Sequence, residues 1–257
     1  MIRHIWRKDL QSELYTWKGT VWLLIAALLF SFTSYLLLTD KELSLLDQTE
    51  LLWLLAKIII ATAMLIVTID ASSIATAEFE KGTAESLFLA PMTLSDFILG
   101  KLLASLTLWV LVFVVATPYI IVASSGTHLA GFFLGYVALF GTLGVLGLLC
   151  VTLALSLLYR SSRNTLTTSL VVLLFLTIPA LFGSSLKNSG AVAGFSRINP
   201  IDSIFSALDN VLVDYQVRLS ANLRFLSPVV GFVVVGILFL LVAARVFRRR
   251  GIAGEMR

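Results

Sequence analysis

Charge is what this sequence has least of. Only 13% of its 257 residues are Asp, Glu, Lys or Arg, against about a quarter in an ordinary soluble domain. The few charges are clustered and leave apolar runs of about 20 residues, enough for a helix to cross the ~30 Å hydrocarbon layer of a bilayer. Cysteine is almost absent: Cys150 stands alone inside an apolar run, which excludes an internal disulfide and a cysteine metal cluster. The two histidines, His4 and His128, are far apart in sequence, so a histidine-rich metal site is not expected. The net charge of +4 is small. With no basic soluble domain to carry it, it reads as membrane topology rather than nucleic-acid binding.

Several motifs are missing as well. There is no G-x-x-x-x-G-K-[ST] phosphate loop. Gly100-Lys101 is followed by leucines and lacks both the upstream glycine and the magnesium-binding hydroxyl, so the chain is not expected to hydrolyse ATP by itself. No H-E-x-x-H zinc motif and no G-x-S-x-G nucleophile elbow occur, which leaves a membrane hydrolase without its signature. Ser124, Ser125 and His128 fall in one short polar loop and read as a solvated turn. A channel would show a filter-like loop or a ring of charge, and neither is visible.

What is present is hydrophobic: 58% of the chain. The apolar runs do not alternate every second residue, so barrel strands are excluded and helices remain. The expected fold is an all-α polytopic membrane protein forming one domain over residues 1–257. It has six spans at about 20–38, 51–74, 98–122, 130–158, 165–184 and 227–247. Basic residues precede the first run as in a signal peptide, but the run is too long and no small-residue cleavage site follows, so it is expected to be retained.

Before the first span, Ile2, Ile5, Trp6, Leu10, Leu14 and Trp17 recur at spacings of three and four, with Arg3, Lys8, Gln11 and Ser12 largely opposite. This predicts an amphipathic helix lying in the headgroup plane. The second span carries two charges, Lys57 and Asp70. Lys57 is close enough to one end for its stem to snorkel outward, and Asp70 reads as the point where the span leaves the lipid; the alternative for both is a polar lining at a transport path. Gly131 and Gly135 in the fourth span fit the small-xxx-small pattern of close helix packing. In the polar region at 185–226, Asn199, Pro200 and Asp202 spell a helix start. Ile201, Ile204, Phe205, Leu208 and Leu212 continue it at helical spacing. That helix is too short to span and lies either across the membrane surface or against the bundle.

Lysine and arginine set the orientation. With both termini inside, inner segments hold thirteen basic residues and outer segments five, four of those five in the one long loop. Both termini are therefore expected in the cytosol. The longest polar stretch between two spans, Ala77 to Lys101, then lies in the cytosol between spans two and three.

That stretch carries a pattern: Glu78, then Gly82-Thr83, Leu87 or Leu89, Pro91, and Gly100-Lys101 opening the next span. It resembles the segment between spans two and three in permease subunits of ABC-2 type ABC transporters. The layout is similar end to end: a basic N-terminal helix, six spans, a long outer region with a short helix, and the basic tail Arg248-Arg249-Arg250. Gly141-Thr142-Leu143-Gly144 and Thr177-Ile178-Pro179 also resemble the haem-exporter B-type permeases, but the outer region and tail fit the general ABC-2 permeases better.

The resemblance implies a non-catalytic subunit of the cytoplasmic (inner) membrane that pairs with a second permease as a homo- or heterodimer. It docks a cytosolic ABC ATPase, which holds the ATP and magnesium; no cofactor is expected on this chain. Export is the direction implied, with a mechanical role on an extracytoplasmic assembly as the alternative. The segment matching 77–91 would be a coupling helix in a groove of the ATPase. In that role Glu78, Glu80, Lys81 and Glu85 offer charge pairs, and Phe79, Leu87 and Phe88 offer apolar anchors. Gly82-Thr83 allows close approach or a bend, and Pro91 ends the helix.

Overall fold

The computed structural model describes residues 6–11, 17–39, 48–82, 93–125, 128–181, 190–216 and 218–250. Among these residues every regular element is an α-helix. A helix at residues 6–11 (α1) is followed by α2 (Trp17–Thr39), α3 (Gln48–Glu80), α4 (Leu94–Ala123), α5 (Ala130–Tyr159) and α6 (Ser162–Leu181). Then come α7 (Gly190–Ile198), α8 (Pro200–Leu212) and α9 (Leu219–Arg250). Six of them, α2 to α6 and α9, are long and apolar enough to cross a membrane.

Most of these helices overrun the apolar runs that predict them. α3 continues through Glu80 rather than stopping near residue 74. Nothing between Ala75 and Glu80 breaks a helix, since the first glycine or proline after the apolar run is Gly82. The hydroxyls on the way bond back to the ladder, Thr76 Oγ1 to the Ser72 carbonyl at 2.6 Å and Ser73 Oγ to the Asp70 carbonyl at 2.9 Å. Asp70 therefore does not mark the end of α3: it lies within the helix and is 1% exposed. Lys57 Nζ sits 3.2 Å from the centroid of the Trp53 ring, one turn nearer the start of α3, so its stem runs toward that end.

The helices are unequal in depth. In α5, 67% of the apolar window is buried and in α3 56%, against 17–28% in the other four. α3 and α5 form the centre, with Ile60, Met64, Phe133 and Phe140 in the core, and the rest surround them. Glycine lets them approach. A Cβ on Gly141 would lie 2.8 Å from the Trp109 ring, whose Nε1 donates to Thr142 Oγ1 at 2.9 Å. A Cβ on Gly236 would lie 3.0 Å from the Gly147 carbonyl oxygen, so α5 and α9 cross almost backbone to backbone. Gly131 and Gly135 face open space and take no part in this packing.

α7 and α8 are joined at Asn199 alone. Asn199 Oδ1 accepts from the N–H groups of Ile201 at 2.9 Å and Asp202 at 3.2 Å, with Pro200 at the first helical position, as the sequence indicates. Of the two placements open to α8, packing against the bundle is the one found. Nearly every residue of α8 is buried. Ile204 reaches Met64 and Gly144, near the middles of α3 and α5. Trp53 Nε1 donates to the Phe205 carbonyl at 3.1 Å, and Asn199 Nδ2 to the Leu176 carbonyl at 2.8 Å. Asn210, Asn222 and Tyr136 form a buried hydrogen-bonded chain that fixes α8 to α9 and α5.

Candidate functional site at the end of α3

The last turn of α3 holds the first residues of the singled-out stretch. Ala77 to Glu80 continue the helix, Lys81 N–H donates to the Ala77 carbonyl at 3.1 Å, and Gly82 N–H to the Phe79 carbonyl at 3.2 Å. Gly82 has φ +66, the left-handed conformation that ends helices and that glycine adopts without strain. Thr83, Glu85, Leu87, Phe88 and Pro91 lie outside the described residues. The chain is described again at Thr93, whose hydroxyl accepts from Asp96 N–H while the Asp96 carboxylate accepts from Thr93 N–H. This capping box starts α4.

Glu78 turns into the protein. Its Oε1 is 3.0 Å from Lys101 Nζ, and the same nitrogen is 3.1 Å from Asp9 Oδ1 and 3.0 Å from Asp9 Oδ2. The Lys101 side chain is 2% exposed and that of Glu78 12%. Lys8 Nζ approaches Glu78 Oε1 at 3.6 Å from the exposed rim. Burial pushes the Asp9 carboxyl above its usual range, and the Lys101 ammonium beside it pulls the other way.

Glu80 turns toward the next helix pair. Its Oε1 accepts from the Ser162 backbone N–H at 2.6 Å and its Oε2 from the Ser162 hydroxyl at 2.9 Å. Thr76 Oγ1 is 2.5 Å from the same hydroxyl. The carboxylate thus serves the first turn of α6, where orphan N–H groups and the helix dipole both favour negative charge. Phe79 lies between Phe97 of α4, at 6.2 Å between ring centroids, and Phe247 of α9, at 5.5 Å. Arg160, left-handed at φ 54, stacks on Phe247 from the turn between α5 and α6.

One turn of α3 therefore touches α1, α4, α6 and α9 through Glu78, Phe79 and Glu80. Of the residues expected to face a partner, Glu78 and Glu80 are engaged within the chain and Phe79 is half-buried. Lys81 and Gly82 are exposed. Asp9, Ser162, Phe97 and Phe247 belong to the site but carry no motif. A signal for one of them was present: Lys101 sits inside a mainly apolar stretch, and a buried lysine requires a carboxylate partner. A turn tied to four helices and followed directly by the exposed Lys81 and Gly82 is suited to passing a displacement into the bundle.

Over residues 3–252 the chain matches the family model described as ABC-2 family transporter protein. No curated protein matches it.

Proposed function

Because the chain belongs to the ABC-2 family of transporter membrane proteins, whose members work with ABC ATPase subunits, we propose that it is a permease subunit driven through the end of α3. In this reading a cytosolic ATPase pair grips the segment that begins at Lys81. ATP and magnesium reside on that partner, and this chain contributes no catalytic group. Two permease subunits pair in the cytoplasmic membrane, both termini face the cytosol, and the cargo is exported.

The observation that carries the reading is the convergence on Glu78, Phe79 and Glu80. A soluble motor can move membrane helices only through an element that both hold firmly. Here that element is continuous with α3, one of the two central helices, and its side chains reach α4, α6 and α9. Charge supports the orientation. Lys8, Lys81, Lys101, Arg160, Arg163, Arg245, Arg248 and Arg249 gather at this end of the bundle, and basic residues favour the cytosolic side.

The test uses Lys81, which is exposed and makes no contact that the fold requires. Lys81→Glu in the full chain should lower stimulation of the co-purifying ATPase by about tenfold, a coupling change of ordinary size. Association and stimulation at the wild-type level would remove the coupling assignment. A Lys81→Cys variant should react with a membrane-impermeant maleimide only from the cytosolic face. Labelling from the other face would invert the topology.

A further inference from the structure

Three elements distant in sequence meet at one nitrogen. Lys101 Nζ of α4 is held by Asp9 of α1 at 3.0–3.1 Å and by Glu78 of α3 at 3.0 Å. The Lys101 and Asp9 side chains are 2% and 6% exposed. A buried ammonium has three N–H donors to satisfy and a charge that needs a carboxylate beside it. Lys101 finds its acceptors only while α1, α3 and α4 keep this arrangement. The Phe97 ring, 5.3 Å from Nζ, adds its face to the same charge.

We propose that Lys101 is a positioning residue of the coupling machinery: through Asp9 and Glu78 it locks the N-terminal helix to the end of α3 and the start of α4, so that all three move as one body. The motion rests on the ATPase-coupled reading above; the lock rests on the geometry alone. Neither of the other two contacts at this end reaches α1. Glu80 ties α3 to α6, and Phe79 ties it to α4 and α9. Only the Lys101 cluster includes α1. Trp6 Nε1 of α1 also donates to Thr107 Oγ1 of α4 at 3.0 Å, so α1 grips α4 at two heights and reaches α3 through the shared ammonium and the rim contact of Lys8. A buried ionic cluster is a poor source of net stability, because desolvation offsets the attraction. Its strength is geometric, since it tolerates one arrangement and penalises every other. A displacement of the α3 end then carries α1 with it, and α1 becomes a third arm of the joint.

The experiment places spin labels at Gln11 and Ser95, both exposed, in the full chain in nanodiscs, and measures their distance with and without the co-purifying ATPase trapped by vanadate. Cys150 is buried and stays in place. The wild type should give one narrow distribution that the trapped state preserves. Asp9→Ala leaves Lys101 paired with Glu78, so the chain folds. It should broaden the distribution and lower ATPase stimulation by about tenfold. Lys101→Arg, which keeps the charge and the donors, should retain the narrow distribution. A narrow distribution in Asp9→Ala overturns the lock, whatever the ATPase does. Broadening with wild-type stimulation overturns its part in coupling. Distances that behave as expected in a wild-type chain that stimulates no ATPase support the lock and count against the transporter reading instead.

Discussion

Glu80 caps the helix that begins at Ser162. The two residues are eighty-two positions apart, yet one carboxylate takes both the backbone N–H and the hydroxyl of Ser162, at 2.6 and 2.9 Å. The turn between α5 and α6 consists of Arg160 and Ser161 alone, so α6 starts without room for a longer lead-in, and its first N–H needs a partner from elsewhere.

Glu80→Ala removes that partner. By the scale of ordinary N-cap losses it should cost about 1 kcal/mol, falling on the first turn of α6. Hydrogen exchange should rise at residues 162–165 while the middle of α6 keeps its protection. Glu80→Gln should fall between the two, since it keeps an acceptor but loses the charge. Unchanged exchange in the alanine variant would mean that the cap carries no weight.

The glycines divide into two kinds. At Gly236 an added Cβ would meet the Gly147 carbonyl at 3.0 Å and the Cys150 Cβ at 3.1 Å. Gly236→Leu should therefore force α9 off α5 and destabilise the chain by more than the 1–3 kcal/mol typical of overpacking, because the obstacle is backbone. Gly135→Ala meets nothing within 4 Å and should be neutral or slightly stabilising in the isolated chain, by up to about 1 kcal/mol. Thermal unfolding in detergent separates the two. Equal losses at both positions would contradict the division.

That contrast shows where the sequence is readable and where it is not. Six spanning helices follow from run length and low charge, because lipid leaves the backbone no alternative. The start of α8 follows from Asn199, Pro200 and Asp202, because capping is local. Spacing cannot tell which glycine pair meets another helix. Gly131 and Gly135 have the right interval and the wrong face, while Gly147 meets Gly236 across nearly ninety positions. The site divides in the same way. The pattern from Glu78 to Gly82 was legible, but the left-handed stop at Gly82 was not: the expectation there was a close approach or a bend, with the helix ending at Pro91. The partners were not, because Asp9 and Ser162 carry no signature and are defined by the burial of Lys101 and the orphan N–H of α6.

Asp9 should leave a mark on the pH dependence of stability. Its carboxyl is raised above the usual range, chiefly by burial and despite Lys101. Just above the usual carboxylate value the folded chain then binds more protons than the unfolded chain, so by linkage the contribution of Asp9 falls as pH rises through that window. It is fully present below the unfolded value and levels off once the carboxyl is ionised in both states. Unfolding midpoints of the wild type should therefore decline relative to Asp9→Asn across the window and run parallel to it on either side. Parallel curves throughout would show that the buried carboxyl titrates as it does in the unfolded chain.

Gly82 separates two reasons for a glycine at the mouth of the segment proposed to couple to the ATPase. One is conformational: φ is +66, and a Cβ there costs strain whatever the surroundings. The other is steric, a close approach of a partner that only a bare backbone permits. Within the chain itself a Cβ would meet nothing within 4 Å, so the fold supplies no steric reason. Gly82→Ala should destabilise the end of α3 by about 1 kcal/mol, since alanine resists the left-handed region. Asparagine visits that region readily, so Gly82→Asn should restore stability. If conformation is the whole reason, Gly82→Asn should also bind and stimulate the ATPase as the wild type does. A stable Gly82→Asn chain that no longer docks the ATPase would show instead that the partner's surface comes down onto the backbone at this residue, and would move the point of contact from the segment beyond Gly82 to the turn itself.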